Sequence, residues 1–555
     1  MKKFTIFLIV ILACAASLAF AQNVCSSLRA VVLDSTSAAV PGAECALTNQ
    51  NTGAVLTVKS DSQGSCGFNI IPAGTYSFAV QAKGFKALSV KDVAVEAGQT
   101  RTLGNLSLEV GALTESVQVT GEVSQINLAT AEKSGTISMT QLQNVAVKGR
   151  DMFAYMITIP GIVDNGGQGS ETTSPDSLRG TFINGSRENA KNYAVDGITN
   201  LDTGSNNTLQ FEPNMDSIAE VKVLTSNFQA EYGRNGGGVI TVITRGGGRD
   251  FHASGYDTYR HESLNANSFW NNRTNVAKAP YRYRITGYTV GGPIFIPKVF
   301  NTKKDKLFFF WNQEYTGQKK DYGTRLSTMP TADERNGDFS KSVTGSGTKI
   351  TINDPVTQIP FPGNIIPKNR FSTLGSAMLN FLPTQNYTDT TNINNSNYKS
   401  TNSGGYPKRE DMVGIDYNIT RSLQVYWRYV QDKDEQQSPY GLWINGGINY
   451  LLAPMTFGAP GKGHVAHITN SITPTMVNEF IFGLSKNKLY FFPTDPSLID
   501  RAKVGNPGQW YPDTTTGVSY IDKTNSCPTL ASAATTPTPP LSRSVTSPTR
   551  TTTPS

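Results

Sequence analysis

The side chains that most often carry chemistry are few and scattered in this chain of 555 residues. Its four histidines, His252, His261, His464 and His467, stand in no H-x-x-E or HExxH arrangement, so no two of them form the helix-face pair that a zinc peptidase requires. Nor does the sequence contain a G-x-S-x-G elbow, a phosphate-cradling P-loop or a clustered Cys/His set. The expectation is a protein that is not an enzyme, with no cofactor and no metal. Cysteine is the remaining source of reactivity. Beyond the leader described below these are Cys25, Cys45, Cys66 and Cys527. Cys45 and Cys66 share one short β-patterned segment of an exported chain, where a disulfide is chemically allowed. The two readings are a Cys45–Cys66 bridge and a pair of unpaired buried thiols, because sequence spacing does not supply the Cβ geometry that a bridge needs.

The export signal is read from Met1-Lys2-Lys3, the apolar run Phe4 to Leu18, and Ala19-Phe20-Ala21, which match a charged n-region, an h-region and a small-x-small site. Residues 1–21 are expected to be a signal peptide cut after Ala21, with Cys14 a residue of its core. No later segment reaches the roughly 18 consecutive apolar residues of a spanning helix, so the mature chain is soluble, surface-bound or a β-barrel. The formal charge of +7 is small and dispersed, which argues against nucleic acid as a partner. A charged fraction of 16% with 10% aromatics fits a β-rich exported protein.

The elements that must position any site are read from periodicity. From Cys25 to Val110 short alternating runs such as LRAVVLD, AVLTVKS and YSFAVQA lie between turn residues, the pattern of a β-sandwich. Phe68, Tyr76, Phe78 and Phe85 alternate as core residues do, rather than as platforms for a glycan. From Phe228 to Phe251 the sequence FQAEYGRNGGGVITVITRGGGRDF sets a triple glycine before the β-branched strand Val239 to Thr244 and a second glycine turn after it. Beyond Phe251 long alternating strands take over. In the hairpin Val413 to Val430, Val413, Ile415, Tyr417 and Ile419 share one face with Leu423, Val425, Trp427 and Tyr429, while Gly414, Asp416, Asn418 and Thr420 share the other. A soluble sheet with one wet face would show the same alternation. Thr535 to Ser555, rich in Thr, Pro and Ser, is expected to be disordered.

Four families of motif carry a resemblance. Pro41-Gly42-Ala43, Thr52-Gly53, Asp61, Gly64, Phe68, Pro72, Gly74, Tyr76, Gly84 and Phe85 resemble the carboxypeptidase regulatory-like domain, a transthyretin-like sandwich that is an accessory and not the peptidase. Thr114 to Glu122, TESVQVTGE, resembles a TonB-box segment, so Glu115, Val117, Val119 and Thr120 are a candidate coupling strand for a periplasmic energy-coupling protein of the TonB type, by addition of a strand. The alternative for this segment is the last strand of the sandwich or a linker. Thr140 to Asn144, Gly149 to Phe153 and Ile157 to Gly161 resemble a plug-domain helix with its proline-glycine stop. Ile183 to Arg187 and Asn192 to Gly197 resemble that domain's paired central strands, and Met215 to Val223 its helix-to-strand step. Ala230 to Arg234 and Gly236 to Gly238 resemble its end, which makes Gly236, Gly237 and Gly238 the candidate plug-barrel hinge, with packing as the alternative role. Gly291-Gly292-Pro293-Ile294, the run Lys304 to Phe310, Pro330 to Ser340 and Phe361 to Pro367 narrow the resemblance to Oar-like TonB-dependent receptors.

The resemblance implies a mainly β protein with an N-terminal β-sandwich, an α+β plug domain and a partial transmembrane antiparallel β-barrel. The expected boundaries are 23–112 for the sandwich, 113–125 for a linker, 126–250 for the plug, 251–527 for the barrel and 528–555 for a low-complexity tail. It implies an outer-membrane receptor with its N-terminal domain in the periplasm, whose partners are outer-membrane lipid, the TonB-type protein and an unidentified extracellular ligand such as a glycan or peptide. An exported carbohydrate-binding or adhesive surface protein, working through the sandwich, is the alternative. Family barrels of about 22 strands need about 10 residues per strand, and the motifs yield about seven to ten strands here. The expectation is therefore a truncated receptor whose open edges another chain must close.

Overall fold

Alternation in the sequence becomes strand over more than half of the described residues, because a period of two places one row of side chains on each face of a ladder. The structure, a computed structural model, describes residues 26–500 apart from short stretches, the longest being 121–130, 165–179 and 442–453, together with 543–552. The signal-peptide reading, Cys25, Cys527, Glu115 and most of Ala230 to Arg234 lie outside the described residues.

Eight strands build the sandwich: β1 (Ser26–Asp34), β2 (Glu44–Asn49), β3 (Val55–Lys59), β4 (Ser65–Ile71), β5 (Gly74–Gln81), β6 (Ala87–Val95), β7 (Thr100–Leu108) and β8 (Ser116–Thr120). They form one sheet in the order β4-β1-β7 and another in the order β3-β2-β5-β6-β8. Leu28, Ala30 and Val32 from the first sheet meet Leu47, Phe78 and Val80 from the second, all fully buried. Phe68 and Tyr76 are buried beside them and Phe85 packs against the cluster, so these aromatic rings are core. Cys45 on β2 and Cys66 on β4 are bonded across the two sheets, with Cα atoms 6.5 Å apart. The bridge closes a loop of 21 residues, so replacing both cysteines by alanine is expected to cost the sandwich about 3 kcal/mol. Peptide mapping of the unreduced exported protein should recover the linked pair; alkylation of both thiols in the native protein would refute it.

The plug comprises β9 (Lys133–Ser138), α1 (Met139–Asn144), α2 (Phe153–Met156), β10 (Ile162–Asp164), β11 (Thr181–Ile183), β12 (Lys191–Val195), β13 (Ile198–Thr199), β14 (Ile218–Ser226) and β15 (Gly238–Thr244). Its sheet runs β13-β12-β15-β14-β9, with β12 parallel to the central strand β15. Two motif expectations change here. The segments read as paired central strands belong to different ladders, since β11 pairs with β10 while β12 pairs with β13 and β15. The long-range parallel partner of β12 leaves no trace in the local sequence. The expected helix is two short ones, the first closed by a Ser138–Gln141 capping box. Asp196 and Gly197 both have positive φ, +47° and +86°, as the tight turn from β12 into β13 requires.

The barrel sheet contains β16 (His252–His261), β17 (Tyr281–Pro293), β18 (Leu307–Ser327), β19 (Tyr398–Asn418), β20 (Leu423–Ser438), β21 (Met455–Gly458), β22 (Gly461–Thr473), β23 (Met476–Pro493) and β24 (Arg543–Thr552). Its pairings are antiparallel, and β16 and β24 are its edges. The predicted hairpin has the register read from the sequence, with Val413 opposite Tyr429 and Ile415 opposite Trp427. Its apolar row faces outward, Trp427 being 38% exposed, and its polar row faces the plug. Short turns such as 419–422 mark one end of the sheet, and the long segment 328–397 lies at the other. Within the segment read as a low-complexity tail, Arg543–Thr552 lies antiparallel along β23 with Pro548 opposite Leu484, and the rest of that segment lies outside the described residues. An open strand edge offers a row of main-chain donors and acceptors that pairs with little regard for side chains, which lets a segment of this composition lie along it.

Candidate functional site

The polar row of the barrel wall would be costly to bury alone, and the plug supplies what it pairs with. Alternation on β19 turns Lys408 and Glu410 inward on the same side as Met412 and Gly414. Lys408 is 1% exposed and donates to Glu212 of the plug at 2.8 Å and to Glu410 at 2.7 Å. Around it, Tyr406 donates to Asp434 at 2.9 Å, the Gly461 N–H donates to Asp432 at 2.7 Å, and the Glu212 N–H donates to Asp432 at 3.2 Å. One lysine thus sits among four buried carboxylates contributed by the plug, β19 and β20. On the plug side, burial pushes the Asp151 carboxyl above the ordinary range, and the nearby Glu212 charge adds to this. Burial also raises Glu212, against the opposing pull of Lys408.

Further contacts surround this cluster. Arg150 pairs with Asp216 inside the plug and lies 4.5 Å from the ring centre of Tyr256, whose hydroxyl donates to Glu314 at 2.8 Å. Asn214 of the plug donates to Asn312 of β18. Phe310, Met412 and Val430 point into the lumen and join the plug's own apolar core with Ile218 and Val242. Where plug backbone meets wall, the wall is bare. A Cβ on Gly461 would lie 1.7 Å from the Gln210 carbonyl, and one on Gly463 would lie 2.3 Å from the Phe211 ring. A seat of this kind holds the plug against the wall through charges whose partners lie on the two bodies.

The expected site residues fall elsewhere. Gly236 to Gly238 are not the plug-barrel joint: Gly238 opens β15, inside the plug. A Cβ on Gly237 would strike Ser186 Oγ at 2.1 Å and one on Gly238 the Ile183 side chain at 2.8 Å, and none of the three has a positive φ. Gly237 and Gly238 pack closely at the start of the central strand, whereas nothing lies within 4 Å of the Cβ position of Gly236. The chain enters the barrel after Thr244, through the second glycine turn, where the Gly247 N–H donates to Asp416 at 3.0 Å and Arg428 holds the other oxygen of that carboxylate at 2.6 Å. Val117, Val119 and Thr120 lie on β8, which runs parallel to β6 at the edge of the sandwich sheet, with Val117 level with Leu88. The segment is therefore a sandwich strand in this structure. Lys408, Glu212, Asp432 and Asp434 escaped sequence reasoning; the signal on hand was the Lys-x-Glu pair in the inward row of an alternating strand.

Residues 243–548, more than half of the chain, match the family described as "Outer membrane beta barrel domain". Residues 27–109 match "Carboxypeptidase regulatory-like domain". The TonB-dependent transporter Oar of Myxococcus xanthus is 25% identical over 338 residues, which are 58% of this chain and 29% of that protein. Among solved structures, the outer membrane transporter YddB of Escherichia coli is 9% identical with a TM-score of 0.40, covering 65% of this chain and 40% of its own. The siderophore receptor PirA of Acinetobacter baumannii is 15% identical with a TM-score of 0.31, covering 70% and 51%. The chain thus spans less than a third of the length of the Oar relative and about half or less of these structures. By its barrel sheet, its seated plug and the match over 243–548, the chain belongs to the outer membrane β-barrel domain family, as an Oar-like member with a carboxypeptidase regulatory-like sandwich ahead of the plug.

Proposed function

We propose that the chain works in the outer membrane as a TonB-dependent receptor, taking up an extracellular ligand through a lumen that its plug occludes. The observation that carries this reading is the plug's seat: Lys408 of the wall is bonded to Glu212 of the plug and buried with it. A separable plug is what gated passage requires, since ligand capture or applied force need only exchange a finite set of polar contacts. Detergent-dependent extraction of the full chain from outer membranes tests the location, and release by salt would point instead to a peripheral surface protein.

Energy coupling would use the segment Glu115 to Thr120. The edge of β8 away from β6 carries no other strand among the described residues, so a periplasmic protein of the TonB type can add one there. Proline at Val117 or Val119 removes a main-chain donor, and a lost ladder bond of about 1 kcal/mol weakens binding about fivefold. Titration of the full chain with the energy-coupling protein measures this, and unchanged affinity in both proline variants rejects the assignment. The ligand, a glycan or a peptide in this reading, would be chosen by the long loops at the end opposite the short turns.

A further inference from the structure

We infer that the sandwich is a closed lid over the short-turn mouth of the barrel, clamped to the plug by the turn between β6 and β7. This deepens the receptor reading, since anything leaving the lumen at that end meets the sandwich first. The clamp is polar. The Ala97 N–H donates to the Glu220 carboxylate of β14 at 2.8 Å, Thr136 of β9 donates to Glu96 at 2.8 Å, and Lys222 reaches the Gly98 carbonyl at 3.3 Å while paired with Glu132 at 2.7 Å. A second turn, between β2 and β3, rests on the plug-barrel joint, where the Arg249 N–H donates to the Asn51 carbonyl at 3.0 Å.

Between these supports the surfaces leave two voids. A cavity of about 520 Å³ lies between the sandwich and the plug-barrel joint, bordered by Tyr76, Glu220, Arg245, Asp416 and Thr469. Another of about 250 Å³ separates Val58 and Phe68 of the sandwich from Arg421 and Thr473 at the barrel turns. A permanent interface is apolar and filled, whereas hydrogen bonds flanking voids can be exchanged for water without loss of core. The sandwich has its own disulfide-linked core and the plug has another, so parting them exposes neither. These are the properties of a lid that opens as one body.

The test uses the full chain in detergent with Cys25 and Cys527 changed to serine and Thr469→Cys as a reporter inside the larger cavity. A bulky maleimide should modify this cysteine roughly tenfold or more slowly than a small methanethiosulfonate, because the bulky reagent waits for an opening that the small one does not need. Loosening the clamp from the plug side with Glu220→Ala and Lys222→Ala, or by charge repulsion with Thr136→Glu opposite Glu96, should remove most of that difference. Hydrogen exchange of β15 identifies which of these variants keeps the plug folded, and that variant is the one read. Equal rates for the two reagents in the clamped protein, or an unchanged ratio in a folded loosened variant, would overturn the lid. Neither readout involves uptake or a coupling partner, so its failure is distinct from failure of the receptor reading.

Discussion

Replacing Lys408 by methionine is expected to loosen the plug by about 3–5 kcal/mol, the usual cost of leaving buried charge without its partner. The lysine is 1% exposed, and its removal leaves Glu212, Glu410, Asp432 and Asp434 facing one another with no cation between them. Chemical denaturation of the protein in detergent, together with hydrogen exchange on β12 and β15, measures the effect. The double variant Lys408→Met with Glu212→Gln should recover part of the loss, because buried ion pairs exchanged for neutral groups are often close to neutral in stability. A single variant within about 1 kcal/mol of the parent would show that the cluster is not what seats the plug.

The second large effect is expected at Gly461. A Cβ there would stand 1.7 Å from the carbonyl oxygen of Gln210, a main-chain atom that no rotamer change can move. Gly461→Ala must therefore push the plug segment away from β22 or bend the strand, at about 1–3 kcal/mol or more. It also disturbs the Gly461 N–H that holds Asp432 at 2.7 Å, so the damage reaches the ion cluster. Gly255→Ala in β16 is the control, since nothing lies within 4 Å of its Cβ position. Equal stability of the two alanine variants would contradict the close approach of plug to wall.

The sequence by itself determined whatever depends on neighbours along the chain. The alternation of Val413, Ile415 and Tyr417 fixed the strand and the division of its side chains between two faces, because a slip of one residue would exchange every one of them. Cys45 with Cys66 was a sound pairing to entertain because both belong to one small sandwich. The tertiary structure alone decided what depends on distant partners. Glu212 and Lys408 are 196 residues apart, and a lysine in an alternating strand reads the same whether its inward face meets water or a plug. Gly236 to Gly238 suggested a hinge because glycine permits motion, yet it also permits contact, and at Gly237 and Gly238 only the positions of Ser186 and Ile183 decide between the two. The same holds for β8 and β24, whose main chains could pair with any open edge. Which edge stands beside them is a property of the fold, since main-chain hydrogen bonds carry no sequence address.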